Sequence, residues 1–139
     1  MISRRETVIA HIKSEYSVSP EYLFEGDFDT AVFRHNDTKK WFGIIMKVKC
    51  STLGIEGEGT VDVMNVKCDP LLVDILVQRE SFLRAYHMNK RLWVSILIDS
   101  EIEEGEIFGL IEQSFQLTDK KKGKKNNGDN LQKTRRKRP

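Results

Sequence analysis

The short connections between the strand-like stretches restrict this chain's fold more than any other feature. "FDTAVFRH" (28–35) and "KKWFGIIMKVK" (39–49) are rich in β-branched and aromatic residues and are joined by the turn residues Asn36 and Asp37. The link "CSTLGIEGEG" (50–59) carries three glycines and leads into "TVDVMNVKC" (60–68). Parallel neighbours need crossovers of a dozen or more residues, so such links predict antiparallel pairing. Within 60–68, Val61, Val63 and Asn65 alternate with Asp62, Met64 and Val66, the pattern of a strand with one face in water.

Helical periodicity brackets these strands. Ser3 and Glu6 form a capping-box pattern ahead of Val8, Ile9, Ile12 and Tyr16, which predicts a helix over 4–16. Asp69 and Pro70 read as N-cap and first turn of a second helix, with Leu71, Leu72, Ile75 and Leu76 as its expected buried face. After the connection "RESFLRAYHMNKR" comes the strand "LWVSILID" (92–99). A last helix over 103–117 directs Ile107, Leu110, Ile111 and Phe115 inward, and Glu103, Glu104 and Glu106 suit its N-terminal dipole. The order helix, three strands, helix, strand, helix predicts an α+β fold: an antiparallel sheet with helices packed on one face.

The charge is divided along the chain. Residues 120–139 carry ten Lys/Arg and one Asp, whereas residues 1–119 carry 13 basic and 20 acidic side chains. With Leu131 as its one aliphatic residue, the basic segment has too little apolar surface to offset its ordering entropy. The division predicts a domain over 1–118 and a disordered basic tail over 119–139. With 39% hydrophobic residues, the domain can build a core. No apolar run approaches the roughly 20 residues of a membrane-spanning helix, and no signal peptide is visible. The expectation is a cytoplasmic protein.

Catalytic and metal-binding patterns are missing. G-x-S-x-G, H-E-x-x-H and Cys-x-x-Cys do not occur, and His11, His35 and His87 fall on different elements. The "GIEGEG" loop matches no phosphate-cradling spacing, and Glu56 and Glu58 would repel an anion. Cys50 and Cys68 end opposite sides of a predicted hairpin about 20 Å apart, at about 3.4 Å per residue, and are expected to stay free. No enzyme activity, metal or cofactor is expected.

The stretches "FDTAVFRH", "KKWFGIIM", Leu53-Gly54, "VKCDP" (66–70), "AYHMNKRLW" (85–93) and "SFQLT" (114–118) together resemble the MmcQ/YjbR family. The resemblance runs in order over about residues 3–118, and its most specific piece is the His87, Asn89, Trp93 element. It implies a small fold similar to bacterial frataxin (CyaY-like) and a DNA-binding protein. Two positions depart from the family pattern: Leu92 stands where histidine is frequent, and Phe115 where a phenol is.

Read as chemistry, His87 and Asn89 are suited to satisfying a turn's backbone, and Trp93 to covering the sheet. Lys90 and Arg91 beside them, Arg34, Lys39 and Lys40 in the first hairpin, and Lys67 are the domain's candidate phosphate contacts. The clearest electrostatic signal is in the tail: Lys120, Lys121, Lys122, Lys124, Lys125, Arg135, Arg136, Lys137 and Arg138. The leading expectation is a monomeric, non-enzymatic protein that binds DNA or RNA weakly, with the tail supplying much of the affinity. The alternative is a protein-interaction or small-ligand module that does not bind DNA.

Overall fold

A computed structural model describes residues 2–119. The elements are α1 (Arg4–Tyr16), β1 (Ala31–Arg34), β2 (Trp41–Lys49), α2 (Cys50–Leu53), β3 (Thr60–Lys67), α3 (Pro70–Leu76), β4 (Phe82–Arg84), β5 (Trp93–Leu97) and α4 (Glu104–Leu117). The five strands form one sheet in the order β1-β2-β3-β5-β4, and every neighbouring pair is antiparallel.

The predicted caps are present. Ser3 accepts from the Glu6 N–H while the Glu6 carboxylate accepts from the Ser3 N–H, so α1 opens with a reciprocal capping box. Ser17 in the left-handed region (φ 57°) closes it. Asp69 caps α3, with Pro70 in the first turn.

Helices α1, α3 and α4 cover one face of the sheet. Val8 and Ile12 of α1 and Ile107 and Ile111 of α4 meet Phe33, Phe42, Met64 and Ile96 in the core, all fully buried. A β-bulge sets the phase of β2: Phe33 pairs with Gly43 but Arg34 with Trp41, so Phe42 is the extra residue. Phe42 and Gly43 thus both lie towards the helices, and Trp41, Ile44 and Met46 fall on the other face. A Cβ on Gly43 would come within 2.6 Å of the Met64 terminal methyl, so a larger residue there would require that flexible side chain to move.

Four expectations need correction. The 50–59 link contains the short helix α2, ended by Gly54 at φ 72°. The 79–91 connection contains β4, an edge strand of three residues that pairs with β5. Strand β3 has no water-facing side in its second half: Val63, Met64, Asn65 and Val66 are all buried, because chain segments cover the face opposite the helices. Helix α3 buries Val73 and Leu76, while Leu71 (76% exposed) and Ile75 (62% exposed) face solvent. A seven-residue helix with apolar residues on both sides has no unique stripe, and packing on β4 and β5 selects the face.

Candidate functional site

The helix-free face of the sheet carries the cleft. Pleat alternation places Ile44, Met46, Val63, Asn65 and Ser95 on this face. Two segments lie over it. The 21–30 segment is tied on through paired N–H···O bonds between Glu21 and Val32, both 2.9 Å. The 85–92 loop is tied on by side chains.

Asn65 and Ser95 stand opposite one another in the β3–β5 ladder, both without exposure. Ser95 donates to Asn65 Oδ1 at 2.5 Å and accepts from the Tyr86 N–H at 3.0 Å, and Asn65 Nδ2 donates to the Tyr86 carbonyl at 2.9 Å. Two side chains thus replace a strand partner for Tyr86, and each buried polar group has its bond. Lys90 Nζ donates to the Ala85 carbonyl at 2.8 Å, and Asn89 Oδ1 accepts from the N–H groups of Arg91 and Leu92. His87 takes φ 62° between these anchors, a left-handed conformation uncommon for a residue other than glycine.

Between the two covering segments opens a cleft of about 330 Å³. Trp41, Ile44 and Met46 of β2 make its floor, Phe24 and Thr30 one wall, and Tyr86, His87 and Met88 the other. Phe24 meets the Trp41 ring edge-on with centroids 6.4 Å apart, and His87 lies 4.0 Å from the Tyr86 ring. Asp27 also lines it, but its carboxylate accepts from the N–H groups of Asp29 and Thr30 and from the Thr30 hydroxyl. Those bonds, the Thr30 hydroxyl foremost, hold the Asp27 carboxyl below its ordinary range.

One end of the sheet is basic. Strands β1, β3 and β4 end there with Arg34, Lys67 and Arg84, and β2 and β5 begin there, each preceded by a loop with Lys39 and Lys40 or Lys90 and Arg91. The predicted domain cations are therefore brought together. They are not equally available: Arg34 is paired with Glu21 at 2.5 Å, which lowers the Glu21 pKa, and Lys90 is engaged with Ala85. Lys39, Lys40 and Arg91 are exposed, and half-buried Lys67 stands opposite Trp93. At the opposite end lie Glu56, Glu58, Asp62, Asp99 and Glu101, where Arg5 and Lys47 are both paired to Asp62.

Helix α4 also ends at the basic end. His35, buried in the first hairpin, faces Thr118 Oγ1 through Nε2 at 2.8 Å. The Thr118 hydroxyl gives its proton to the Ser114 carbonyl, so it accepts from His35, which selects the Nε2–H tautomer. Burial lowers the His35 pKa, aided by Lys40 and opposed by Asp119 and Asp37. Ser114 donates to the Phe42 carbonyl at 2.6 Å and accepts from the Lys67 N–H at 2.8 Å, joining α4 to the sheet beside the bulge. Lys120 to Arg138 lie outside the described residues, and continue the chain from this point.

Among the family-motif residues, Asn89 is a turn residue whose Oδ1 accepts from two N–H groups, and Trp93 begins β5 and is half-buried. His87 is exposed at the cleft instead of capping a turn with its ring. Asn65, Ser95, Ser114, Phe24 and Met88 were not among the expected site residues. A polar Asn inside the apolar run "VDVMNVK" was the legible signal for the first; nothing local marked the others. Among the described residues, no group of three or more His, Cys, Asp or Glu is placed to hold a metal.

Residues 14–117 match the YjbR family. The chain belongs to the MmcQ/YjbR family. It is 45% identical over 114 residues to the uncharacterized protein YyaQ of Bacillus subtilis, covering 82% of this chain and 97% of YyaQ. A crystal structure of a Pseudomonas syringae protein is similar at TM-score 0.80 and 38% identity, over 84% of this chain and 99% of that one. The Deinococcus radiodurans protein DR2400 is similar at TM-score 0.61 and 20% identity, over 82% and 80% of the two chains, and shares the fold. YyaQ and the Pseudomonas protein are each matched over nearly their whole printed length.

Proposed function

We propose that this MmcQ/YjbR protein is a monomeric, non-enzymatic, cytoplasmic protein that binds nucleic acid with its basic end. The observation that carries this reading is convergence. Arg34, Lys39, Lys40, Lys67, Lys90 and Arg91, scattered over 58 positions of sequence, share one end of the sheet with the C-terminal end of α4. The ten cations of 120–139 follow directly from there. A domain with an excess of acidic residues is repelled by a polyanion unless its cations cluster. Here they share an end with Glu21, Asp37, Asp69, Asp74 and Asp119, of which Glu21 and Asp74 are paired with Arg34 and Arg84. Glu56, Glu58, Asp62, Asp99 and Glu101 lie at the far end. Contacts of this kind are insensitive to base sequence and strongly salt-dependent.

The test compares the full-length chain with residues 1–119 on duplex and single-stranded oligonucleotides across a salt series. The logarithm of affinity should fall with the logarithm of salt by about 0.9 per phosphate neutralised on duplex DNA. Removing 120–139 should take away most low-salt affinity and flatten that slope. Equal binding by the shortened chain would overturn the part given to the basic segment. Absence of binding by both at about 50 mM salt would overturn the reading itself. The aromatic cleft would then favour a small-ligand module.

A further inference from the structure

We infer that the cleft on the helix-free face receives one unpaired base of the bound strand, so that the protein prefers single-stranded to duplex nucleic acid. This rests on the nucleic-acid reading above and adds the part of the ligand that enters the fold.

The lining suits a flat ring. Trp41, Phe24 and Tyr86 supply aromatic surfaces, and Met46 and Met88 supply thioethers that adapt to a ring's outline. At about 330 Å³ the cleft falls at the small end of ligand sites, which run from about 300 to 1,000 Å³. That is room for a single ring system and too little for a peptide segment. The one carboxylate in the lining, Asp27, already accepts from three donors in its own turn.

The cations favour a base over another aromatic molecule. Lys39 and Lys40 immediately precede Trp41, and Lys90 and Arg91 follow Met88 by two and three residues. The floor and one wall of the cleft therefore continue into cationic turns at the basic end, whereas the other wall, in 21–30, carries no cation. A strand whose phosphates lie along those turns places a base at the opening between them. Bases paired in a duplex cannot leave the stack without an energetic penalty, whereas bases of a single strand are free to stack on protein rings.

His87 points the same way. Its backbone is held in the left-handed region by the anchored residues on either side, and its ring is exposed at the cleft. Strain of this kind persists where the surroundings over-determine it, and it concentrates at binding sites.

The experiment uses the full-length chain with a short oligo-dT strand and a hairpin duplex of equal phosphate number. The unmodified protein should bind the single strand more tightly at equal salt. Trp41→Leu should weaken single-strand binding by about five- to 150-fold, the range for one base stacked on an aromatic ring, and leave duplex affinity and the salt slope unchanged. Because Trp41 also packs on Phe24, a second measurement avoids substitution. On adding oligo-dT to the unmodified chain, the Trp41 indole and the Met46 and Met88 methyl resonances should shift. If oligo-dT binds while those resonances stay still, or if strand and duplex bind equally, the cleft does not take a base and the electrostatic reading survives. If adenosine monophosphate shifts them but no oligonucleotide binds, the cleft is a small-molecule site and both readings fall. Failure of every probe to bind the full-length chain also overturns both.

Discussion

At the scale of single residues, the most consequential side chain is one that looked ordinary. Asn65 occupies a strand position where an aliphatic residue would pack as well, yet both ends of its amide are used to hold the Tyr86 backbone and Ser95. Replacing it by Ala leaves the half-buried Tyr86 carbonyl and the buried Ser95 hydroxyl without their partner. Asn65→Ala should therefore lower stability by about 1–3 kcal/mol in urea unfolding. Asn89, although part of the family motif, is exposed and bonds to Arg91 and Leu92 as a cap does. Asn89→Ala should cost about 1 kcal/mol, and a larger loss than for Asn65→Ala would contradict this division. The thiols give a third expectation. Cys50 and Cys68 are both free and buried, and burial pushes the Cys68 thiol up to about 11. Both should react with a thiol reagent only after unfolding, and reagent uptake by native protein would place either one at the surface.

At the scale of elements, α4 is held to the sheet by two contacts that periodicity does not reveal. The Ser114 hydroxyl serves the Phe42 carbonyl and the Lys67 N–H at once, beside the point where the bulge interrupts regular pairing. The last turn is held by His35 and Thr118. Burial of His35 makes stability depend on pH. The folded pKa of His35 lies below its ordinary value of 6.5, so the unfolded chain takes up the proton first. Stability is complete above about 6.5 and declines as the pH falls towards the folded value. The urea midpoint should therefore drop as the pH falls below about 6.5, and His35→Gln should flatten that dependence. A wild-type midpoint constant over that range would remove His35 from this role.

At the scale of the whole molecule, antiparallel topology decides the charge distribution. Alternate strands run in opposite directions, so residues at the end of β1, β3 and β4 join those at the start of β2 and β5. A strand such as β2 then has cations at both ends with different surroundings: Lys39 and Lys40 lie at the basic end, Lys47 and Lys49 at the acidic end. Changing Lys39 and Lys40 to Ala in the full-length chain should reduce the salt slope on duplex DNA by about 2. Changing Lys47 and Lys49, an equal loss of charge, should leave it unaltered. Equal effects from the two pairs would mean that net charge alone governs binding.

What the residues determined unaided was local. The capping box at Ser3, the Asp69-Pro70 start and the first hairpin turn at Asn36 and Asp37 all act within a few positions, and all appear as read. So did the antiparallel pairing of β1, β2 and β3, because their short links leave no other, whereas the long connection from β3 to β5 left that pairing to the packing. Other features depended on which surfaces meet. β4 is a three-residue edge strand with no pattern long enough to stand alone, and it exists because β5 lies beside it. Val73 and Leu76 turn inward in α3 because of the sheet they pack on, although the apolar residues on its other side are as hydrophobic. The cleft required the bulge at Phe42, which turns Trp41 away from the helices, and two covering segments far apart in sequence. Short-range hydrogen bonding and hydrophobic period are written along the chain. The juxtaposition of distant segments is set by packing, and tertiary structure alone decided it.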